Sequence, residues 1–289
     1  MRLKKIVKIC FILLVAFCSI VVLFIASFGG LGRKTNTIHY SNSKDSILFF
    51  SHRGLANYYP ENSLEAVEGA RKIGLNAVEI DILRSKEHEF IVFHDENTLR
   101  LLGIDKEVKN LDTTQLRSYP LIFKDNTSTS HVSTVEEMLN RQKEDMIFYF
   151  DMKLSSFKDA DEIARLVKEK NSIGSVIVAS SDILFVFYME YYHPEIITAL
   201  EGFNAGKEWT YDFIPKNLKP DYLSGFSANA DANHVEWLKK NDLMDSKIVY
   251  GVDTSNVDEA LKAGFKNIII EYDSVMSNVS LNNEEELLE

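Results

Sequence analysis

From residue 47 to residue 271, short runs of aliphatic, β-branched and aromatic residues alternate with amphipathic stretches of helical period. That rhythm is the signature of parallel α/β architecture. Strand candidates fall at residues 47–51, 77–83, 90–94, 146–152, 175–179, 196–200, 222–227, 247–252 and 267–271. This is one strand more than a (β/α)8 TIM-type barrel uses, so the expected fold is that barrel, distorted by one extra strand. The gap between residues 83 and 90 is too short for a crossover helix, which makes 90–94 the extra one. A hairpin turning at Glu87-His88 would then set His94 opposite Asp81.

Helices are expected where a capping residue precedes an apolar stripe. One starts at Asn62 or Ser63, with Glu65 in its first turn, Leu64, Val67 and Ala70 on one face and Gly74 just past its end. A second starts at Ser133 or Thr134, with Glu136 and Glu137 near its positive end. Others are expected over 159–170, 182–192, 232–241 and 256–263, and no repeat of fixed period appears. Residues 96–132 hold only short apolar pieces and end in a polar run, and read as a small insertion or lid beside the barrel.

The N-terminus follows a different pattern. Residues 9–28 are apolar without a charge, and at ~1.5 Å per residue they span roughly 30 Å, the thickness of a bilayer core. We read them as one transmembrane anchor or uncleaved signal, since a cleavable signal has a shorter apolar region of roughly 7 to 15 residues. Secretion after signal cleavage is the alternative. Lipoprotein processing at Cys18 is disfavoured by the bulky Phe17 before it. Arg2, Lys4, Lys5 and Lys8 outnumber Arg33, Lys34 and Lys44, which places residues 1–8 in the cytoplasm and the large domain outside, periplasmic or extracellular. The expected organisation is therefore a short N-terminus (1–8), the anchor (9–28), a flexible Gly/Ser/Thr/Asn-rich linker (29–46), a barrel (47–276) and an acidic tail (277–289).

Composition narrows the function classes. The 289 residues carry a net charge of -11 with no basic cluster beyond the N-terminus, which excludes a nucleic-acid partner. Cys10 and Cys18 both lie in the apolar segment, so the globular part has no disulfide and no cysteine-metal site. No G-x-S-x-G elbow supports a serine hydrolase. The Asn126-Thr127-Ser128 and Asn278-Val279-Ser280 acceptor patterns decide nothing about function.

The candidate chemistry sits where apolar runs break. Residues 47–51 lead into His52, Ala77-Val78 into Glu79, residues 90–93 into His94 and residues 148–150 into Asp151. Glu79 and Asp81 are two apart on a strand and share one face, and two carboxylates on a core-side face repel unless a cation lies between them. Asp151 offers a third oxygen ligand, in a set suited to Ca²⁺ or Mg²⁺. His52 and His94 are candidates for general base and general acid, with His94 also a candidate ligand. Arg53 and Lys153 could hold phosphate oxygens, and Glu61 could orient Arg53 or a histidine or approach the cation. His39, His88, His131, His193 and His234 are assigned no catalysis, and Asn62 and Ser63 are read as caps.

The order His52-Arg53-Gly54, Pro60-Glu61-Asn62, Glu79-Ile80-Asp81 and His94-Asp95 resembles the glycerophosphodiester phosphodiesterase family, in the phospholipase C-like phosphodiesterase superfamily. The resemblance implies metal-dependent cleavage of a glycerophosphodiester to glycerol 3-phosphate and an alcohol, one histidine deprotonating the attacking oxygen and the other protonating the departing one. It implies one divalent cation on Glu79, Asp81 and Asp151. The family's usual Glu-x-Lys is Asp151-Met152-Lys153 here, and its later motifs are replaced by Tyr250-Gly251-Val252-Asp253 and Ile270-Glu271-Tyr272. Two other readings are a phospholipase D or sphingomyelinase D-like phosphodiesterase acting on lyso- or sphingo-phospholipids, and a non-catalytic membrane-anchored binding barrel.

Overall fold

The computed structural model describes residues 2–34, 47–75, 77–141, 146–153 and 156–273. Helix α1 (Arg2–Ser27) leads to β1 (Leu48–His52), α2 (Leu64–Lys72), β2 (Ala77–Arg84) and β3 (Phe90–Val92). An excursion follows: α3 (Leu99–Leu102), α4 (Thr113–Arg117), β4 (Pro120–Phe123), β5 (Asn126–His131), β6 (Ser133–Thr134) and α5 (Val135–Asn140). Strand and helix then alternate through β7 (Ile147–Met152), α6 (Phe157–Glu169), β8 (Val176–Ser180), α7 (Ile183–Tyr192), β9 (Ile197–Leu200), α8 (Glu208–Phe213), β10 (Tyr222–Phe226), α9 (Ala232–Lys240), β11 (Lys247–Val252), α10 (Val257–Ala263) and β12 (Asn267–Ile270).

Eight parallel strands run in the order β1, β12, β11, β10, β9, β8, β7, β2, and a parallel β1–β2 pairing closes the ring. The expected barrel is present. β3 is the extra strand, antiparallel on the upper end of β2 and followed outward by β6.

One expectation of register needs correction. Ile82 pairs with Val92 and Arg84 with Phe90, and the Phe93 N–H donates to the Asp81 carbonyl, so Phe93 and not His94 stands level with Asp81. The turn is a three-residue loop over 86–88, closed by Ser85 N–H to Glu89 O, with His88 left-handed at φ 66°. A loop longer by one residue than the expected two-residue turn shifts every partner by one.

Strand alternation decides what the barrel encloses. Phe50, Ala77, Ile147, Tyr149, Ile177, Ala179, Ile197, Ala199 and Ile269 pack into one interior cluster. Their in-phase successors toward the C-terminal ends are His52, Glu79 and Asp81, Asp151, Glu201 and Glu271. The out-of-phase set, including Val78, Ile80, Phe148 and Phe150, packs outward against residues of α2, α5, α6 and α7. Thus β1, β2, β7, β9 and β12 are apolar at the foot and acidic or basic at the mouth.

The excursion is more organised than short apolar pieces suggest. Leu101, Leu102, Val108, Leu111, Leu116, Leu121 and Val132 join Leu83, Ile91 and Phe93 in a cluster of their own. The polar run after residue 123 is the second strand of the β4–β5 hairpin, which periodicity cannot reveal because only Ser130 of that strand is buried.

Candidate active site

Two levels of register assemble the mouth. The β1–β2 pairing sets His52 beside Glu79, and the β2–β7 pairing sets Asp81 beside Asp151. Ligand atoms of Glu79, Asp81 and Asp151 all lie within 4.8 Å of one another, and all three side chains are buried. They line a cavity of about 360 Å³ together with His52, Lys153, Glu201, Tyr250 and Glu271. Active sites of such barrels lie at this C-terminal end of the strands.

The loop after β1 is locked from behind. Arg53 is left-handed at φ 55° and Asn62 at φ 59°, two strained positions braced against each other by Asn62 N–H donating to Arg53 O at 2.9 Å. Asn62 also donates through Nδ2 to Asp81 Oδ2 at 2.8 Å and accepts from Asp81 N–H at 3.0 Å. Asn62, expected as a cap, is thus a clamp on the central carboxylate. Ser63 is the cap, its hydroxyl accepting from Ala66 N–H.

Arg53 links the acids. Its N–H donates to Glu79 Oε2 at 3.0 Å, its guanidinium donates to Glu61 Oε1 at 2.9 Å, and its Nε lies 3.2 Å from Asp81 Oδ2 without hydrogen-bond alignment. Lys153 Nζ lies 2.9 Å from Asp81 Oδ1 and contacts Asp151. His52 Nδ1 meets Glu271, and its Nε2 is 3.8 Å from Glu79 Oε2.

Among the described residues, His94 is linked to the site only through other side chains. Its Nδ1 is 2.6 Å from Asp95 Oδ1, and it is outside the lining of the cavity. Arg100 of α3 donates to Asp95 and, through two nitrogens, to Glu61, which in turn accepts from Arg53. A charged chain from His94 to Asp81 results, with Glu61 at its middle.

Burial pushes the Glu79 carboxyl well above its ordinary range, and the neighbouring Asp81 and Asp151 add to this. Burial acts the same way on Asp81, but Lys153 and Arg53 outweigh it and hold that carboxyl low. Burial also opposes the charge on Lys153, and Asp81 and Asp151 overcome it, so its pKa rises. Glu201 is pushed well up by burial and by Asp151, while its Oε1 accepts from the Tyr149 hydroxyl at 2.8 Å. Carboxylates this close, with Glu79 unable to ionise freely and Asp81 Oδ1 lacking an aligned donor, suit an oxygen-seeking divalent cation. Glu79, Asp81 and Asp151 could hold it.

Sequence reasoning assigned no role to Glu201, Glu271, Asp95 or Arg100. Glu201 and Glu271 each follow an apolar strand directly, the same signal that singled out Glu79 and Asp151. Arg100 carried no such signal, because the fold of the excursion brings it to Glu61.

A (β/α)8 barrel whose mouth gathers three acids, an imidazole, a guanidinium and an ammonium defines a class of barrels suited to phosphate esters. The model of the glycerophosphoryl diester phosphodiesterase family matches residues 52–271, and the chain belongs to that family. It is similar to the glycerophosphodiester phosphodiesterase of Bacillus subtilis, 29% identical over 184 residues, which cover 56% of this chain and 63% of that protein's length. In fold it is similar to the crystal structure of a glycerophosphodiester phosphodiesterase from Thermotoga maritima (TM-score 0.66, 20% identity, 82% of this chain and 100% of that one). A phosphodiesterase from Oleispira antarctica, solved with the product sn-glycerol-3-phosphate, is similar too (TM-score 0.67, 16% identity, 81% of this chain and 96% of that one).

Proposed function

We propose that the chain hydrolyses glycerophosphodiesters to glycerol 3-phosphate and an alcohol, with one divalent cation, Ca²⁺ or Mg²⁺, held by Glu79, Asp81 and Asp151. The observation that carries this reading is the convergence of those three buried carboxylates within 4.8 Å at the mouth of a barrel that also presents His52. When bound, the cation supplies positive charge to the phosphate oxygens.

The chain's own groups supply the rest. Lys153 and Arg53 lie against Asp81 and are placed to bind the diester's non-bridging oxygens, where charge accumulates as the P–O bond breaks. His52, oriented through Nδ1 by Glu271, leaves Nε2 to take or give a proton at the reacting oxygen. His94, held by Asp95, is the second imidazole of the pair. Glu61 fixes the Arg53 fork from behind.

α1 is long and apolar enough to cross a membrane. We read it as an anchor that carries the barrel on the extracytoplasmic side, a placement that would be overturned if protease added to cells stripped of any outer envelope left the barrel intact and cleaved it only after the membrane was solubilised. The catalytic test is full-length protein in detergent, supplied with glycerophosphodiesters of several head groups and with Ca²⁺, Mg²⁺ or chelator. Release of glycerol 3-phosphate that needs the metal and falls at least about 10²-fold in His52→Ala and Asp81→Asn is expected. Diester binding without turnover in any metal would make the chain a binding barrel. Unphosphorylated head groups such as choline released from lyso- or sphingolipids, with no glycerol 3-phosphate from any diester, would also refute the reading.

A further inference from the structure

α7 is apolar on both its inner and its outer face, its one charge being the buried Glu190. Phe185, Val186 and Met189 are buried against the barrel, yet the opposite face is also apolar: Leu184 is 59% exposed, Tyr191 54% and Tyr192 58%. A helix whose outer face is as apolar as its buried one requires a second apolar environment. On the neighbouring α8, Trp209 and Phe213 lie four residues apart, 64% and 62% exposed, with ring centroids 6.3 Å apart. A band of this kind exceeds the scattered apolar exposure usual for a soluble surface.

The band is continuous with the end of α1. The Phe28 ring lies 5.3 Å from that of Tyr191, and Phe28 and Phe187 pack on the cluster containing Val186, Tyr211 and Ile214. Phe28 O accepts from Asn217 N–H at 3.1 Å and Gly30 O from Lys216 N–H at 2.9 Å. Lys34 Nζ then pairs with Glu190 at 2.7 Å and Asp221 at 2.5 Å. The end of α1 is therefore fastened to the barrel wall at α7 and the segment after α8.

We propose that the outer faces of α7 and α8 lie in the interfacial zone of the bilayer that α1 enters. A spanning helix that ends on this wall delivers the wall to the lipid surface, and Trp, Tyr, Phe and Leu are the side chains that favour that zone. The net charge of -11 favours a zwitterionic surface over an anionic one, while Asp182 and Asp212 beside Lys207 and Lys216 leave the edge of the band with both signs. α7 and α8 both start at the mouth end of the barrel, after β8 and β9, while Tyr191 and Tyr192 end α7 where α1 arrives. The band thus runs along the wall from the foot of the barrel, where α1 arrives, toward the rim, and lays the barrel on its side with the mouth opening along the membrane surface.

This rests on α1 being an anchor, and the test separates the two. Full-length protein and the Trp209→Phe variant are reconstituted in phosphatidylcholine vesicles, with or without lipid brominated near the head group, and floated. The chain has two tryptophans, Trp209 and the partly buried Trp237. The expected result is loss of about a third or more of the native protein's fluorescence in brominated vesicles, and little loss in Trp209→Phe. Failure of the protein to float with the vesicles would remove the anchor itself. Flotation with equal quenching in both proteins would overturn the docked wall alone. So would shielding of Trp209 from aqueous iodide that grows with protein-to-lipid ratio without quenching by bromolipid, which would assign the band to a second copy of the chain.

Discussion

Gly54 is the residue least open to change near the mouth. Its φ is 77°, and a Cβ there would lie 2.7 Å from the backbone carbon and Cβ of Ala66, the residue whose N–H bonds the Ser63 cap. Gly54→Ala is expected to cost about 2 to 4 kcal/mol, read as a lowered unfolding midpoint of the full chain, because strain and a clash coincide. Glu271 makes a different prediction. It is the partner of His52 Nδ1, so Glu271→Gln should lower kcat about tenfold or more with KM little changed, since the imidazole loses its charged orienting group and the phosphate contacts remain. A fall in kcat/KM arising from a raised KM with kcat unchanged would place Glu271 in substrate binding instead. Residue types and their offsets were legible in sequence here: His52, Arg53, Glu79, Asp81 and Asp151 meet where the motifs placed them. The role of Asn62 was not, because one side-chain amide can cap a helix or clamp a carboxylate, and only the position of Asp81 above it decides.

At the scale of elements, caps and strand patterns carried most of the prediction. Thr134 and Glu137 form a reciprocal capping box at the start of α5, and Ser156 with Asp159 does so at α6, which starts at Phe157, two residues before the expected 159. α8 was missed because its six residues are too few to show a period. α7 and the end of α1 yield a pH prediction. Burial, then Asp221, pushes the Glu190 carboxyl up from an ordinary 4.5 to about 7, against the pull of Lys34. The folded chain thus holds this proton where the unfolded chain releases it, so this carboxyl lowers stability progressively as pH rises from 4.5 to about 7. Lys34→Ala removes the opposing charge and should deepen that loss, measured as the difference in thermal midpoint between native and variant protein at pH 5 and pH 7.5. A difference independent of pH would show that Lys34 acts by packing alone.

For the molecule as a whole, closure of the ring forces the acids together, and their repulsion is a standing cost in the metal-free protein. A divalent cation at 100 times its Kd should therefore stabilise the fold by about 2.7 kcal/mol, a rise of several degrees in Tm that chelator reverses and Asp81→Asn abolishes. Unchanged Tm across Ca²⁺ and Mg²⁺ would argue against the three-carboxylate site. The sequence by itself determined the number and direction of the barrel strands, the long apolar N-terminal helix and the residue types at each strand end, because periodicity and capping are local properties of the chain. Only the tertiary structure decided the rest. The three-residue turn before β3 set Phe93 level with Asp81, the excursion carried Arg100 to Glu61, and barrel closure made His52 and Glu79 neighbours. These outcomes depend on register and on contacts between residues distant in sequence, and a one-residue shift in either leaves the hydrophobic pattern unchanged while exchanging one side chain at the site for another.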